Sequence, residues 1–548
     1  MALPGVLVAV FAVLAMQWLW PLWTSGRAPG ARSGEAAAHI WGLVVASDGL
    51  TTHGPFLRVA DAALPAGIRR DLLDPVSLLV FTPVLRLTGS PAAAWGALGL
   101  SWMGVLAGGG VALGQRMGLG RLGTGVLAAA LLCAPYWQGG LLLMGRSEYW
   151  PWALWSLHLA MLHDGLHAET GRARLWGALW AALTLTMLAH GGWQPLVYVL
   201  PVQCCVALGM AWTAPRWRAV GTLVAVAIGA ALLTLPMLWA HLETAPWWLA
   251  RVQGPPGSGV PLETPISSLL GTGQLLHGDV APFVGWALPL LAVVGAWRVR
   301  RARPWALLGL VVVALALGPR IRVTEDLLLL GPFGMLPGNG RVHGVGRAIA
   351  LATVPLGVAA ALLVNTLSRR WAMIAVGLVV LEGVVWRPLP NDGVPVHGNA
   401  QVKDLYNAVP DANVAVFWTV TEPTDVALDE ALLQSRGRGT SLSPAPRDDT
   451  PLRAISVLFQ PPARTDPRDH PCAGDDAARL WGAGFQAVLL LHTTDALVPR
   501  RRRRVAQATD LLGTPALSND QGAIWALAPQ PPPTHCPTVW AASTGGVR

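Results

Sequence analysis

The sequence predicts an all-α polytopic membrane domain of about eleven transmembrane helices, followed by a small α/β domain outside the membrane. Three observations carry this reading. Of the 548 residues, 53% are hydrophobic and only 13% are charged, about half the charged fraction of an ordinary soluble chain, and the mean hydropathy is +0.47. Apolar runs recur, separated by short arginine clusters. Beyond residue 386 the apolar runs shorten, and proline-rich polar stretches appear between them.

The first run, 3–22, lacks a basic start and a small-residue cleavage site, so it reads as a retained transmembrane helix rather than a leader. The following runs are 91–114, 122–140, 150–163, 175–190, 195–212, 219–240, 283–297, 305–318, 347–364 and 372–386. Several are short for a bilayer whose apolar core needs about 17–25 residues per helix. Orientation follows from the arginines. Arg116 and Arg121, Arg172 and Arg174, Arg216 and Arg218, Arg298 to Arg303, and Arg369 and Arg370 fall in alternate short loops, which should face the cytoplasm. With an odd number of spans, the N-terminus is then inside and the C-terminal domain outside. The pattern predicts a multi-pass membrane protein with its C-terminal domain outside the cytoplasm.

Three outer segments exceed a connector's length. Residues 23–90 contain an expected amphipathic helix from Glu35 to Ser47, a short helix near Phe56–Leu64, and an apolar stretch, Leu72–Leu87, expected to be re-entrant or interfacial. Residues 241–282 read as a Pro- and Gly-rich loop resting on the membrane. Residues 319–347 place Arg320, Arg322, Arg341 and Arg347 on the side that should be poor in arginine. In the tail, Asn413–Val420, Ala487–His492 and Gln521–Ala528 read as strands, and Asp475–Ala483 and Arg500–Leu512 as helices.

The net charge of +9 does not indicate a nucleic-acid partner. Lys403 is the only lysine, and much of the arginine sits in loops between apolar runs. Cys133, Cys204 and Cys205 lie in apolar runs as packing residues. Cys472 and Cys536 fall in the outer domain, where a disulfide would persist. Their flanking histidines also leave metal binding open, although the spacing fits no zinc signature.

The order of parts resembles bacterial polytopic membrane glycosyltransferases of the GT-C fold class. The matching pieces are Gly34-Glu35-Ala36-Ala37-Ala38-His39-Ile40-Trp41 in a long outer loop after a single helix; Leu73-Asp74-Pro75 ahead of an apolar stretch; Pro337 to Arg347 running into a late span; and an outer C-terminal domain with Gly484-Phe485-Gln486-Ala487-Val488 leading into a strand. The resemblance implies sugar transfer from a polyprenyl-phosphate carrier to a glycan, lipid or protein acceptor outside the membrane. It also leaves room for a divalent metal ion. An acidic residue of the first outer loop would be the base; the matching position is Glu35, while the inner position often acidic in that class is Ala38. His39, one turn on, would orient the carboxylate or touch phosphate. Asp48, Asp61 and Asp74 are reserve acids, although Asp74 before Pro75 also suits a helix start.

Arg341, His343 and Arg347 are the anion-binding candidates: guanidinium forks match a phosphate, and glycines beside them let backbone amides approach it. Arginines at a helix end also snorkel to headgroups. His190 sits in a tight outer turn and either lines the cavity or caps the turn. Arg146-Ser147-Glu148-Tyr149 reads as an internal ion pair holding its loop, and the run Arg500–Arg504 as a solvated basic face or a headgroup contact. Two other readings stand beside the enzyme. One is a non-catalytic lipid- or glycan-binding subunit of the same architecture. The other is a transporter of lipid-linked sugars, which should show repeats and charges within its helices.

Overall fold

The computed structural model describes residues 2–30, single positions between 36 and 50, 75–189, 193–211, 214–252, 263–265, 283–317, 320–322, 328–330, 345–385, 400–418 except 411 and 413, 439–441, 476–482, 485–491, and most of 502–529. Its helices are α1 (Ala2–Ser25), α2 (Pro75–Thr88), α3 (Pro91–Arg116), α4 (Arg121–Leu132), a π-helix (Tyr136–Leu143), a 3-10 turn (Ser147–Leu154), α5 (Trp155–His167), α6 (Gly171–Ala189), α7 (Trp193–Ala211), α8 (Arg216–Val252), α9 (Ala287–Arg298), α10 (Arg303–Ala316), α11 (Ile349–Val364), α12 (Arg369–Val385) and α13 (Ala400–Asn407). Every apolar run of the sequence holds a helix. By length and composition, four segments among the described residues suffice to cross a membrane: Gly5–Ser25, Pro91–Arg116, Arg121–Leu143 and Arg216–Leu235.

These helices cover themselves with apolar side chains on the outside as well as the inside. Leu232, Leu290, Leu307 and Leu381 are exposed, an arrangement that water would penalise and lipid tails accept. Trp217 (90% exposed) and Trp297 (77%) stand beside Arg216 and Arg298, and Trp371 beside Arg370. Tryptophan next to arginine at helix ends is the signature of a membrane–water interface. The same end is tied internally. Arg116 Nε lies 2.7 Å from Asp164 Oδ1, and Asn365 Oδ1 accepts from the Gly120 amide at 3.0 Å, capping the start of α4.

Inside, small residues let backbones meet, as membrane helices require. A Cβ at Gly177 of α6 would fall 2.4 Å from the Gly165 nitrogen of α5, and one at Gly383 of α12 would collide with Cys133. Helix α3 packs against both α4 and α5, α6 joins α5 to α8, and α11 is surrounded by α4, α9 and α10.

Helix α2 has 14 residues, about 21 Å at 1.5 Å per residue, which is short of a bilayer core of about 30 Å. It turns at Gly89 (φ +63°) straight into α3. Two outer segments differ from expectation. Helix α8 continues to Val252, so 241–252 is helix and not loop, although Pro246 lies within it; a proline is tolerated where neighbouring groups re-satisfy the backbone. Residues 241–282 and 319–347 also pair with one another. Strand β1 (Glu263–Pro265) runs parallel to β2 (Arg320–Arg322), which is antiparallel to β3 (Leu328–Leu330). Strands of three residues carry too little periodicity to be read from sequence.

The tail forms a mixed five-stranded sheet in the order β5-β4-β6-β8-β7, with β4 Val414–Trp418, β5 Gly439–Ser441, β6 Ala487–Leu491, β7 Leu517–Asn519 and β8 Gly522–Ala526. The three expected strands are β4, β6 and β8; β5, β7 and α13 come only from the structure. One face buries Val402, Leu405, Tyr406 and Val409, and α14 (Asp476–Gly482) covers the other. Leu50 of the first outer loop packs into the former face. That loop therefore touches the C-terminal domain.

Candidate active site

The site is built on an aromatic stack. Trp95 of α3 lies 4.5 Å from Trp150, ring centre to ring centre, and Trp18 of α1 meets Trp150 edge-on at 6.0 Å. Each indole N–H donates to a carbonyl, as buried indoles must: Trp18 to Gly96 at 3.0 Å, Trp95 to Pro29 at 2.9 Å and Trp150 to Leu141 at 3.1 Å. The bond to Pro29 fixes the start of the first outer loop against α3.

Above this stack the π-helix widens the chain just before Arg146. Gly140 is required there, since a Cβ would press into the Tyr136 ring at 2.5 Å. Insertions of this kind concentrate near functional sites. Its end is tied by the Arg146 amide donating to Leu141 O at 3.0 Å and by Arg146 Nη1 donating to Gly140 O at 3.4 Å. The Arg146 side chain is buried. Gly145 has φ +69°, and a Cβ on it would fall 2.2 Å from that of Ala36, so the first outer loop rests directly on this turn.

Between 36 and 50 the described residues are helical. Ala36, Ile40, Leu43 and Ser47 are buried at helical spacing, the amphipathic face expected from the sequence. His39 stands on its edge, and its Nε2 lies 2.7 Å from Glu148 Oε2. The other Glu148 oxygen, Oε1, accepts from Arg347 Nη1 at 3.4 Å. Arg347 enters from the short turn before α11 (Val345–Ala348). It also donates to the Tyr149 hydroxyl at 3.1 Å, with its guanidinium carbon 5.0 Å from the Tyr149 ring centre, a cation–π distance.

One carboxylate thus joins the first outer loop to the last. The sequence reading of an ion pair inside Arg146–Tyr149 is corrected, because the Glu148 oxygens meet distant residues and Arg146 turns back to Gly140. Burial acts to raise the Glu148 pKa; His39, by charge and hydrogen bond, and Arg347, by charge, outweigh it and hold the carboxyl below its ordinary value. Glu148 is therefore ionised at neutral pH and a weak base. Burial, partly opposed by Arg347, pushes the Tyr149 phenol up to about 12, so it remains a hydrogen-bonding hydroxyl.

Of the candidates read from sequence, His39 and Arg347 are brought together. Glu35, Asp48, Asp61, Asp74, His190, Arg341, His343, Cys472 and Cys536 lie outside the described residues. Arg502 of the arginine run is exposed. Among the described residues no group of three or more His, Cys, Asp or Glu gathers as a metal site. Glu148, Tyr149 and Arg146 were not assigned to the site from sequence. The available signal was an acidic side chain in a short outer loop between two apolar runs.

No family model and no curated protein matches the sequence. Solved structures do. ArnT from Cupriavidus metallidurans aligns in its apo state over 97% of this chain and 100% of its own, with a TM-score of 0.53 at 15% identity. ArnT bound to undecaprenyl phosphate aligns over 96% and 99%, with a TM-score of 0.56 at 15% identity. The chain has the fold of ArnT. The arabinofuranosyltransferase AftD from Mycobacteria is similar over 96% of this chain and 40% of its own, with a TM-score of 0.56 at 15% identity. The GT-C-like architecture expected from the order of parts is present: an all-α multi-helix membrane domain with a small β-rich C-terminal region.

Proposed function

We propose that this protein is a membrane glycosyltransferase that moves a sugar from a polyprenyl-phosphate carrier to a glycan, lipid or protein acceptor outside the membrane. The observation that carries the reading is the meeting of His39, Glu148 and Arg347. Core packing alone gives no reason to unite the first and last outer loops at a charged cluster, whereas transfer from a lipid phosphate requires an acidic loop and a cation in one place. The solved relative that holds undecaprenyl phosphate supports the choice of carrier.

In the proposed reaction Glu35 takes the proton from the acceptor hydroxyl as that oxygen bonds to the anomeric carbon. The bond from that carbon to the phosphate oxygen breaks, and its electron pair leaves with the carrier. Arg347, with Arg341 and His343, stabilises the charge that grows on the phosphate. Glu148 stays ionised and holds His39 and Arg347 in place.

The test uses the full chain in lipid nanodiscs. It should bind undecaprenyl phosphate and transfer labelled sugar from a polyprenyl-phosphate donor. Binding without transfer from any donor would favour the non-catalytic subunit, and no binding would remove both readings.

In this enzyme eleven helices cross the membrane over residues 1–386, with the N-terminus in the cytoplasm and 387–548 outside. A reporter active only in the cytoplasm should be active when fused after Arg303 and silent after Arg548. Activity at the C-terminus would overturn the orientation.

A further inference from the structure

We infer that Glu148 is a positioning residue for the proposed transfer, fastening the first outer loop to the arginine that faces the carrier phosphate. The inference rests on the reading above but not on Glu35 being the base. Its two oxygens serve different segments: Oε2 holds His39 at 2.7 Å and Oε1 holds Arg347 at 3.4 Å.

The carboxylate is presented by a turn that is itself fixed. The Tyr149 amide donates to Arg146 O at 3.1 Å, the Arg146 amide to Leu141 O at 3.0 Å, and the Trp150 indole to Leu141 O at 3.1 Å. On the loop side, Ala36 is seated against Gly145, which leaves His39 one turn further along the same helix to reach Glu148. An exposed ion pair would count for little. Here the side chains of His39, Glu148 and Arg347 are 27%, 21% and 15% exposed, and Tyr149 orients Arg347 a second time.

The charged and titratable groups that face the carboxylate are His39 from the first loop, Arg347 from the turn before α11 and, on its own turn, Tyr149, with Arg146 behind. Because His39 and Arg347 hold the Glu148 carboxyl below its ordinary value, the carboxylate's share of the bridge is lost as pH falls through that lowered value. Leu50, further along the same loop, packs against the core of the C-terminal domain. Releasing Glu148 therefore loosens the connection between that domain and the site.

The experiment compares wild type, Glu148→Gln, Glu148→Asp and His39→Gln, all full length in nanodiscs, with undecaprenyl phosphate as the probe. Arg32, Arg58, Arg69 and Arg70 supply trypsin sites in the first outer loop. Glu148→Gln should speed cleavage there and weaken probe binding by about tenfold each, the scale of coupling within one ion-pair network. His39→Gln should release the loop while leaving probe binding closer to wild type. Glu148→Asp, which keeps the charge, should recover part of both losses. Cleavage at the wild-type rate in a Glu148→Gln protein with an unchanged melting temperature overturns the proposal. Faster cleavage in Glu148→Gln, with no probe binding by wild type, supports the fastening and overturns the transferase reading instead.

Discussion

Glu35→Ala should abolish sugar transfer in a protein that still inserts, folds and binds undecaprenyl phosphate. A positioned base contributes about 10²–10⁴-fold to a rate, and the reserve acids of the same loop are Asp48, Asp61 and Asp74. Glu148 is near, but His39 and Arg347 hold its carboxyl below the ordinary range. It is therefore a poor acceptor for a hydroxyl proton at neutral pH, where a base with a higher pKa would work best. The measurement is single-turnover transfer, with melting temperature and donor affinity as controls. If the alanine variant turns over at the wild-type rate, the base lies elsewhere. If donor affinity falls together with the rate, Glu35 is shaping the site and not taking the proton. Glu35→Gln separates these outcomes further, because it keeps the side-chain volume and removes only the basicity.

Arg347→Ala should act mainly on the donor. A charge-assisted contact to phosphate contributes about 1.5–3 kcal/mol, so affinity for undecaprenyl phosphate should fall by roughly ten- to 150-fold. The loss should appear in the donor KM more than in kcat if the contact is made equally in the ground and transition states. Arg347→Lys is the informative partner. It keeps the charge but loses the flat guanidinium that lies against the Tyr149 ring and presents Nη1 to both Glu148 and Tyr149, and should recover only part of the affinity. Isothermal titration or competition with a labelled carrier reads both variants. An alanine variant with wild-type affinity would place the phosphate away from Arg347 and leave that arginine as a structural partner of Glu148.

Much of the helical framework was legible because a bilayer imposes its own grammar. Uncharged runs, arginines between them and tryptophans at their ends are forced by the cost of exposing charge or backbone to lipid. Each of those runs holds a helix. In the C-terminal region, β4, β6 and β8 were readable for a related reason: central strands are apolar on both faces, as β6 is throughout Ala487–Leu491. Strands β1, β2, β3, β5 and β7, each of three residues, left no such trace. Proline also misled. The Pro- and Gly-rich composition of 241–282 suggested a loop, yet α8 runs on to Val252.

The site divides the same way. The sequence by itself determined that the chain is a membrane protein, where its arginines collect, and that His39 and Arg347 were worth watching, since residue type and loop position are local properties. What only the tertiary structure decided is that these two meet on Glu148. The reason is physical. An ion pair is a relation between segments, set here by Gly145 admitting Ala36, by Tyr136 folding over Gly140, and by α11 delivering Arg347 from the far end of the helical region. A lone glutamate in a short loop carries the same letter whether it faces water or joins two loops, and its partners lie too far along the chain for any spacing rule to find them.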